Sequence, residues 1–215
     1  MAASTEALLA NTYDVASIPP LENYLNQQAS SNTYDFVANK ALLKLYDLHP
    51  DKRDDNITAL ILAKALMALP STDMMLSLYL VPEDVRARAP VSELVVYGEL
   101  LETAKFAEFW EMAKLGSNPL LDGIVGFDTA IRSYMVGVFA KTYQKTESIV
   151  FMENLALGDA HLAPYVSQHP DGIRLEGRDV IFLSNDDNQQ RAKQFKENIS
   201  FEKILPIIDA FSASS

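Results

Sequence analysis

The sequence predicts a mostly α-helical protein, in which a domain of stacked helix pairs precedes a winged helix and a C-terminal helix. The first supporting observation is a regular spacing of predicted helix starts, near residues 21, 35, 57, 72, 91 and 105. Alternate starts are 36 and 34 residues apart in one series and 37 and 33 in the other. Stacked α-solenoid pairs have a period of about 35 residues, although an irregular helical bundle is the alternative.

The second observation is the order of elements in residues 127–185. Three helical segments are followed by two short apolar runs around Glu176-Gly177-Arg178, which predict a β-hairpin. Three helices and then a hairpin is the order of a winged helix. The predicted helices are Phe127–Tyr143, Thr146–Leu157 and Asp159–His169.

Within the first domain, the individual helices follow from apolar patterning. The segment Asp35–Leu48 has one polar stripe and a wide apolar face. The next segment, Ile57–Leu69, is polar only at Thr58 and Lys64, which predicts burial on several sides and a central position. Ser71 then stands where an N-cap residue would begin the following helix.

Helix-breaking residues and polar stretches indicate the domain boundaries. The chain changes character after a breaker-rich stretch at residues 114–120, and Asn185–Asn198 reads as a solvated linker before a terminal helix. That helix, Ser200–Phe211, contains Pro206, which predicts a kink or a late start. We expect four units: an extension (1–17), a helical-repeat domain (18–126), a winged helix (127–185), and a linker with the C-terminal helix (186–215).

Composition and charge exclude or disfavour several kinds of functional site. The chain has no cysteine and a net charge of −11, divided as −8 for residues 1–127, −2 for 128–185 and −1 for the remainder. Disulfides, thiolate metal sites and cysteine nucleophiles are therefore excluded. No segment is basic, which disfavours autonomous binding to DNA. The start resembles neither a signal peptide nor a presequence, and no apolar run spans a bilayer, so we expect a cytoplasmic protein.

No catalytic or cofactor site is expected. The three histidines, His49, His161 and His169, form no ligand cluster in sequence, and neither a nucleophile elbow nor a phosphate-binding loop occurs. The third winged-helix segment contains no Lys or Arg and is interrupted by Pro164, so it is poorly equipped for DNA. The hairpin suits a protein contact better, for instance by pairing an edge strand with another chain.

Two further patterns have structural interpretations. The aromatic residues Phe106, Phe109 and Trp110 resemble an interface anchor, but their helical spacing favours packing in the core. The segment Gly123-Ile-Val-Gly126 mimics an RNA-binding loop but lacks basic neighbours, so we interpret it as a helix junction.

Several motifs, taken in chain order, resemble one family. They are Leu21-Glu-Asn-Tyr-Leu25, Tyr34-Asp35, Leu43-Lys-Leu-Tyr46, Leu69-Pro70-x-Thr72-Asp73, Gly98-Glu-Leu-Leu-Glu-Thr103, Phe106-x-x-Phe109-Trp110, Gly123-Ile124-x-Gly126-Phe127 and Ile131-Arg132. Together they are similar to subunit k of the eukaryotic translation initiation factor three complex. The matches cover residues 18–157, and their shared order is more specific than any single motif.

The resemblance implies a HEAT-like helical-repeat domain joined to a winged helix, an architecture of the PCI type. It also implies a non-catalytic subunit that pairs chiefly with subunit l, in a complex that binds the small ribosomal subunit and promotes preinitiation-complex assembly. The interface residues suggested by this transfer are Ile173, Val180, Phe182, Ile204, Leu205, Ile207, Ile208 and Phe211.

Two other hypotheses are kept. The first is an equivalent scaffold subunit of the proteasome lid or signalosome, which copurifying partners would distinguish. The second is a winged-helix regulator that binds nucleic acid, which predicts salt-sensitive binding to bare duplex.

Overall fold

The computed structural model describes residues 14–115, 119–169, 172–189, 204–206 and 209. Most of these residues are helical, so the predicted mostly α-helical class is confirmed. The first part of the chain contains α1 (Ile18–Ser31), α2 (Phe36–Leu48), α3 (Asp55–Met67), α4 (Asp73–Leu80), α5 (Glu83–Arg86), α6 (Val91–Glu102), α7 (Phe106–Leu115) and α8 (Pro119–Asp122). The six predicted helix starts lie within three residues of the observed starts of α1, α2, α3, α4, α6 and α7.

Side-chain caps explain why several of these helices start where they do. The Asp35 carboxylate accepts the N–H of Ala38 at 3.1 Å, and Asp54 caps α3 by accepting the N–H of Asn56 at 2.7 Å. At α4 the N-cap residue is Thr72, whose side chain makes no capping bond. Ser71, one residue earlier, accepts the N–H of Asp73 at 3.3 Å, so the predicted cap contributes to this helix from the preceding position.

The helices form two contacting series. In the first series α1 packs against α3, and α3 packs against α6. In the second series α2 packs against α4. Each helix of the first series also contacts the helix that is paired with it along the chain: α1 contacts α2, α3 contacts α4, and α6 contacts α7. Consecutive helix pairs therefore stack, and each buries the apolar face that its neighbour leaves open.

Helix α3 occupies the centre of this stack. Every residue from Thr58 to Leu66 is buried, and the helix contacts α1, α2, α4, α6 and α9 (Phe127–Thr142). The prediction of burial on several sides is confirmed. Lys64 is buried with the rest, at 2% exposure.

The second part of the chain combines three helices with a small sheet. Its elements are α9, β1 (Lys145–Glu147), α10 (Ser148–Leu155), α11 (Asp159–Gln168), β2 (Ile173–Glu176) and β3 (Asp179–Phe182). The strands are antiparallel in the order β1-β3-β2, with Thr146 opposite Val180 and Ile173 opposite Phe182. The predicted hairpin is confirmed.

Strand β1 was not predicted from the sequence. Its residues Lys-Thr-Glu are polar and mostly exposed, so they carry no apolar alternation. Pairing with β3 provides the hydrogen bonds that make this segment a strand. The second helix consequently starts at Ser148 rather than Thr146.

The segment Gly123–Gly126 is a helix junction, as predicted. The N–H of Val125 donates to the carbonyl of Ala29 at 3.1 Å, which ties the junction to α1. Gly126 has a φ of +81°, and a β-carbon added there would lie 2.9 Å from the side-chain nitrogen of Asn32. Only glycine combines this backbone conformation with so close a neighbour.

The beginning of the segment expected to be a linker is hydrogen-bonded to α9 and to the residue that follows β3. Asn188 is buried, and its side-chain amide donates to the carbonyls of Leu183 at 2.8 Å and Ala140 at 3.1 Å. Backbone at residues 204–206 and 209 is helical, within the expected terminal helix. The remainder of that helix, most of the linker and residues 1–13 of the expected extension lie outside the described residues.

Candidate partner interface

The hairpin residues suggested for a partner contact face the interior of the chain. Ile173, Val180 and Phe182 are 1%, 0% and 4% exposed. Because side chains alternate along a strand, the register that pairs Ile173 with Phe182 places these residues on one face of the sheet. That face packs on the protein's own helices, so these side chains position the sheet within the chain.

An aromatic cluster holds this sheet in place. Phe182 stacks on Phe139 of α9 with 6.1 Å between ring centroids and 11° between the planes. Phe151 of α10 lies 5.7 Å from Phe139 and 6.1 Å from Phe182. The hydrophobic contact therefore joins one strand to two helices of the second part.

The described sheet has two edge strands, β1 and β2. Among the described residues β2 pairs only with β3, and Leu175 within it is 39% exposed. Ile204 and Leu205 are also partly exposed, at 37% and 43%. The other suggested interface residues, Ile207, Ile208 and Phe211, lie outside the described residues.

A second relationship, not anticipated from the sequence, connects the two parts of the chain. The guanidinium of Arg132 on α9 lies over the ring of Trp110 on α7, and its Nε donates to the carbonyl of Leu155 at 3.0 Å. The indole N–H of Trp110 donates to the carbonyl of Asn154 at 3.1 Å. Helices α7, α9 and α10 are therefore linked by two adjacent side chains that belong to the quoted motifs.

The aromatic residues weighed as an anchor belong to the core. Phe106, Phe109 and Trp110 are 3%, 0% and 6% exposed, which confirms the core interpretation. Phe109 packs edge-on against Tyr97, with centroids 5.4 Å apart. Their main role is to stabilise the stack.

Titratable groups show no arrangement typical of catalysis in the part of the chain that the structure describes. His49 ends α2, His161 lies in α11, and His169 follows α11 with its Nδ1 2.8 Å from the carbonyl of Tyr165. No group of three or more His, Cys, Asp or Glu residues there is placed to hold a metal ion. None of the described helices is long and apolar enough to cross a membrane.

Shifted pKa values have structural causes. Burial, together with the hydrogen bond to Asp73, raises the pKa of Tyr34, and burial with the bond to Glu22 does the same for the pKa of Tyr46. Burial lowers the pKa of Lys64. Each tyrosine donates to a neighbouring carboxylate: Tyr34 ties the loop before α2 to α4, and Tyr46 ties α2 to α1.

Comparison with known proteins places this arrangement in a family. The sequence model of the CSN8/PSMD8/EIF3K family matches residues 52–194, which is 143 of the 215 residues. The chain belongs to this family. The similarity to subunit k inferred from the ordered motifs is thereby confirmed.

Individual members of the CSN8/PSMD8/EIF3K family match over nearly the whole chain. Eukaryotic translation initiation factor 3 subunit K of Homo sapiens is 32% identical over 197 residues, covering 91% of this chain and 89% of the relative. The protein of the same name from Xenopus tropicalis is 33% identical over 198 residues. That from Dictyostelium discoideum is 31% identical over 205 residues, which is 95% of this chain and 81% of the relative.

Proposed function

We propose that the chain is a non-catalytic structural subunit of the eukaryotic translation initiation factor 3 complex. The observation that carries this proposal is the similarity to subunit K proteins along about nine tenths of both chains. A match of that extent covers the helical stack, the sheet and the junction between them, so the relatives share the arrangement rather than one motif. The protein would act by presenting its surfaces to neighbouring polypeptides.

The architecture proposed is a PCI-type scaffold. Residues 18–126 would form the HEAT-like helical-repeat domain, and residues 127–185 the winged helix. The stacking of consecutive helix pairs supports the first, and the order helix, strand, two helices and hairpin supports the second. Residues 1–17 would be an extension, and residues 186–215 a linker with a C-terminal helix.

The proposed partners are the other subunits of the complex, chiefly subunit l. The exposed edge of β2 and the exposed side chains of Ile204 and Leu205 support a contact at this end of the chain. Ile173, Val180 and Phe182 would hold the sheet in position for that contact, while Ile207, Ile208 and Phe211 would extend it. Contact with the small ribosomal subunit, and promotion of preinitiation-complex assembly, would occur through the complex.

The proposed location is the cytoplasm, where initiation takes place. Autonomous binding to nucleic acid is not part of the proposal, because α11 carries no Lys or Arg and the chain has a net charge of −11. A winged-helix regulator would instead need cations on that helix. Mixing the purified chain with duplex DNA at low salt tests this point, and saturable, salt-sensitive binding would favour the regulator.

Copurification tests the main proposal. A tag on the chain expressed in its own cells, followed by mass spectrometry, should recover subunits of initiation factor 3. The family description also includes the names CSN8 and PSMD8, which supports a scaffold subunit of the signalosome or proteasome lid as the second candidate. Recovery of those assemblies without any initiation factor subunit would overturn the first proposal.

The interface is tested with two exposed residues. The double variant Ile204→Ser with Leu205→Ser should reduce recovery of subunit l while leaving the helical circular dichroism unchanged. The matched control is Tyr79→Ser on α4, where an aromatic side chain is 79% exposed away from the sheet. Equal recovery from both variants would exclude these residues from the contact.

A further inference from the structure

An open groove lies between α7 and α10. It holds about 770 Å³, and α7 contributes Ala107 and Trp110 to its lining while α10 contributes Ile149 and Met152. Ile149 is 60% exposed although it is aliphatic. A single exposed apolar side chain is common on a protein surface, but Ile149 lines one groove together with Met152 and Trp110.

The charges that line this groove are mainly negative. Glu111, Glu153 and Asp159 contribute three carboxylates, against the single ammonium of Lys114. None of the four forms an ion pair or a side-chain hydrogen bond with another described residue. No described residue neutralises these charges, so the four side chains can pair with a partner.

The lining excludes several occupants. Three unpaired carboxylates repel a nucleic acid backbone. A second copy of a chain with a net charge of −11 is disfavoured for the same electrostatic reason. A small molecule prefers an enclosed, mostly apolar cavity, whereas this groove is open to solvent and has comparable polar and apolar lining.

We propose that this groove binds a basic amphipathic helix of a partner protein. The apolar side of such a helix would cover Ile149 and Met152, and its Lys or Arg side chains would pair with Glu111, Glu153 and Asp159. Small residues at Ala107, Ala156 and Gly158 give a helix backbone room to approach. This is the helix-in-groove mode of recognition, and charge complementarity makes the groove prefer a basic helix to an acidic one.

The experiment uses the full chain and a synthetic probe. The probe is a helical peptide of about 18 residues, with leucine on one face, lysine on the others and no tryptophan. Trp110 is the sole tryptophan of the chain and lines the groove, so its fluorescence reports binding there. Trp110 also lines a second cleft with Asp122 and Asp128, and the groove variants distinguish the two sites. We expect a saturable change whose affinity falls about tenfold or more between roughly 50 and 300 mM salt.

Matched reagents make the result specific. A peptide with the same leucines but glutamate in place of lysine should bind at least about tenfold more weakly. The double variant Glu111→Lys with Glu153→Lys, and separately Ile149→Ser, should each reduce affinity about tenfold, with circular dichroism confirming that the variants fold. Glu83→Lys makes one such Glu-to-Lys change on α5, a different helix, and should leave affinity unchanged.

Three outcomes overturn the proposal. They are the absence of a saturable fluorescence change, equal affinity for the lysine and the glutamate peptide, and an affinity that the groove variants leave unchanged. Self-association of the chain that Glu111→Lys abolishes would make a second copy the occupant, and would contradict the proposal too. The measurement uses the isolated chain, so its failure is distinguishable from a failure to copurify with initiation factor 3.

Discussion

The guanidinium carbon of Arg132 lies 4.7 Å from the centre of the Trp110 ring, and this contact joins the helical stack to the second part of the chain. Arg132 also donates to the last turn of α10 and approaches Asp128 at 3.6 Å. The side chain is 22% exposed, so these contacts are partly desolvated and stronger than they would be in water. The pair therefore stabilises the relative placement of α7, α9 and α10.

Replacing Arg132 with methionine should destabilise the chain by about 1–2 kcal/mol, since a cation–π contact and a hydrogen bond to a carbonyl are both lost. Urea unfolding followed by circular dichroism measures the change. Arg88→Met is the control, because Arg88 is exposed and pairs only with Asp55 and Asp84 among described carboxylates. The control should cost no more than about 0.5 kcal/mol. Equal losses would show that the contact with Trp110 adds nothing.

Gln28 and Asn39 form a buried amide pair between α1 and α2. Gln28 Nε2 donates to Asn39 Oδ1 at 3.0 Å, and Gln28 Oε1 accepts from Asn39 Nδ2 at 3.2 Å and from the N–H of Asp35 at 2.9 Å. Asn39→Ala should cost about 2 kcal/mol, because Gln28 Nε2 loses its buried acceptor and Gln28 Oε1 loses one of its two donors. The double variant with Gln28→Ala should cost less than the sum of the singles, and strict additivity in equilibrium unfolding would contradict this coupling.

Two glycines should respond in opposite directions to the same change. Gly126→Ala should destabilise the chain by about 1–3 kcal/mol, because alanine is strained at positive φ and its β-carbon would meet Asn32. Gly137→Ala, within α9 and with no atom within 4 Å of the new carbon, should stabilise it by about 0.5–1 kcal/mol. Thermal unfolding compares them directly. A stabilising Gly126→Ala would contradict the strain argument.

Lys64 is a buried cation in the central helix, and burial lowers its pKa from 10.5. Lys64→Met should therefore raise the free energy of unfolding by about 1 kcal/mol at neutral pH, because the amine of lysine loses its hydration in the folded chain whereas methionine has no polar group to desolvate. Lys44→Met, on an exposed position of α2, should have little effect.

The difference in stability between the wild type and Lys64→Met should change with pH in one direction. Between the lowered folded pKa of Lys64 and its ordinary value of 10.5, the unfolded chain binds more protons than the folded chain. Wild-type stability relative to Lys64→Met should therefore increase as pH rises through that window. Denaturant titrations of both proteins across alkaline pH measure the difference, and a constant difference would show that Lys64 keeps an unshifted pKa.

The helices of the first part were predictable because their signals are local. The apolar stripe of α2, the nearly continuous apolar run of α3 and the Asp35 cap are all readable within a dozen or so residues. The spacing of helix starts follows from those patterns. The sequence alone therefore determined where the helices of the stack begin, and the ordered motifs determined the family.

The candidate interface was less predictable, because it depends on which face of a strand turns inward. Ile173, Val180 and Phe182 are apolar, and apolar side chains on a short hairpin suit either a core or a partner surface. Packing of the sheet on Phe139 and Phe151 decided for the core. Strand β1 was missed for a related reason, since its polar residues become a strand only through pairing with β3.

The sequence by itself determined that this protein is mostly helical, that it belongs to one family, and that it contains no cysteine. Tertiary structure alone decided which side chains meet across long separations: Arg132 with Trp110, Asn188 with Ala140, and the groove lined by Ile149 and Glu111. The physical reason is the separation of the contacting residues along the sequence. Helix patterns arise from neighbours within a few turns, whereas these contacts join residues 22 or more positions apart, and only packing brings them together.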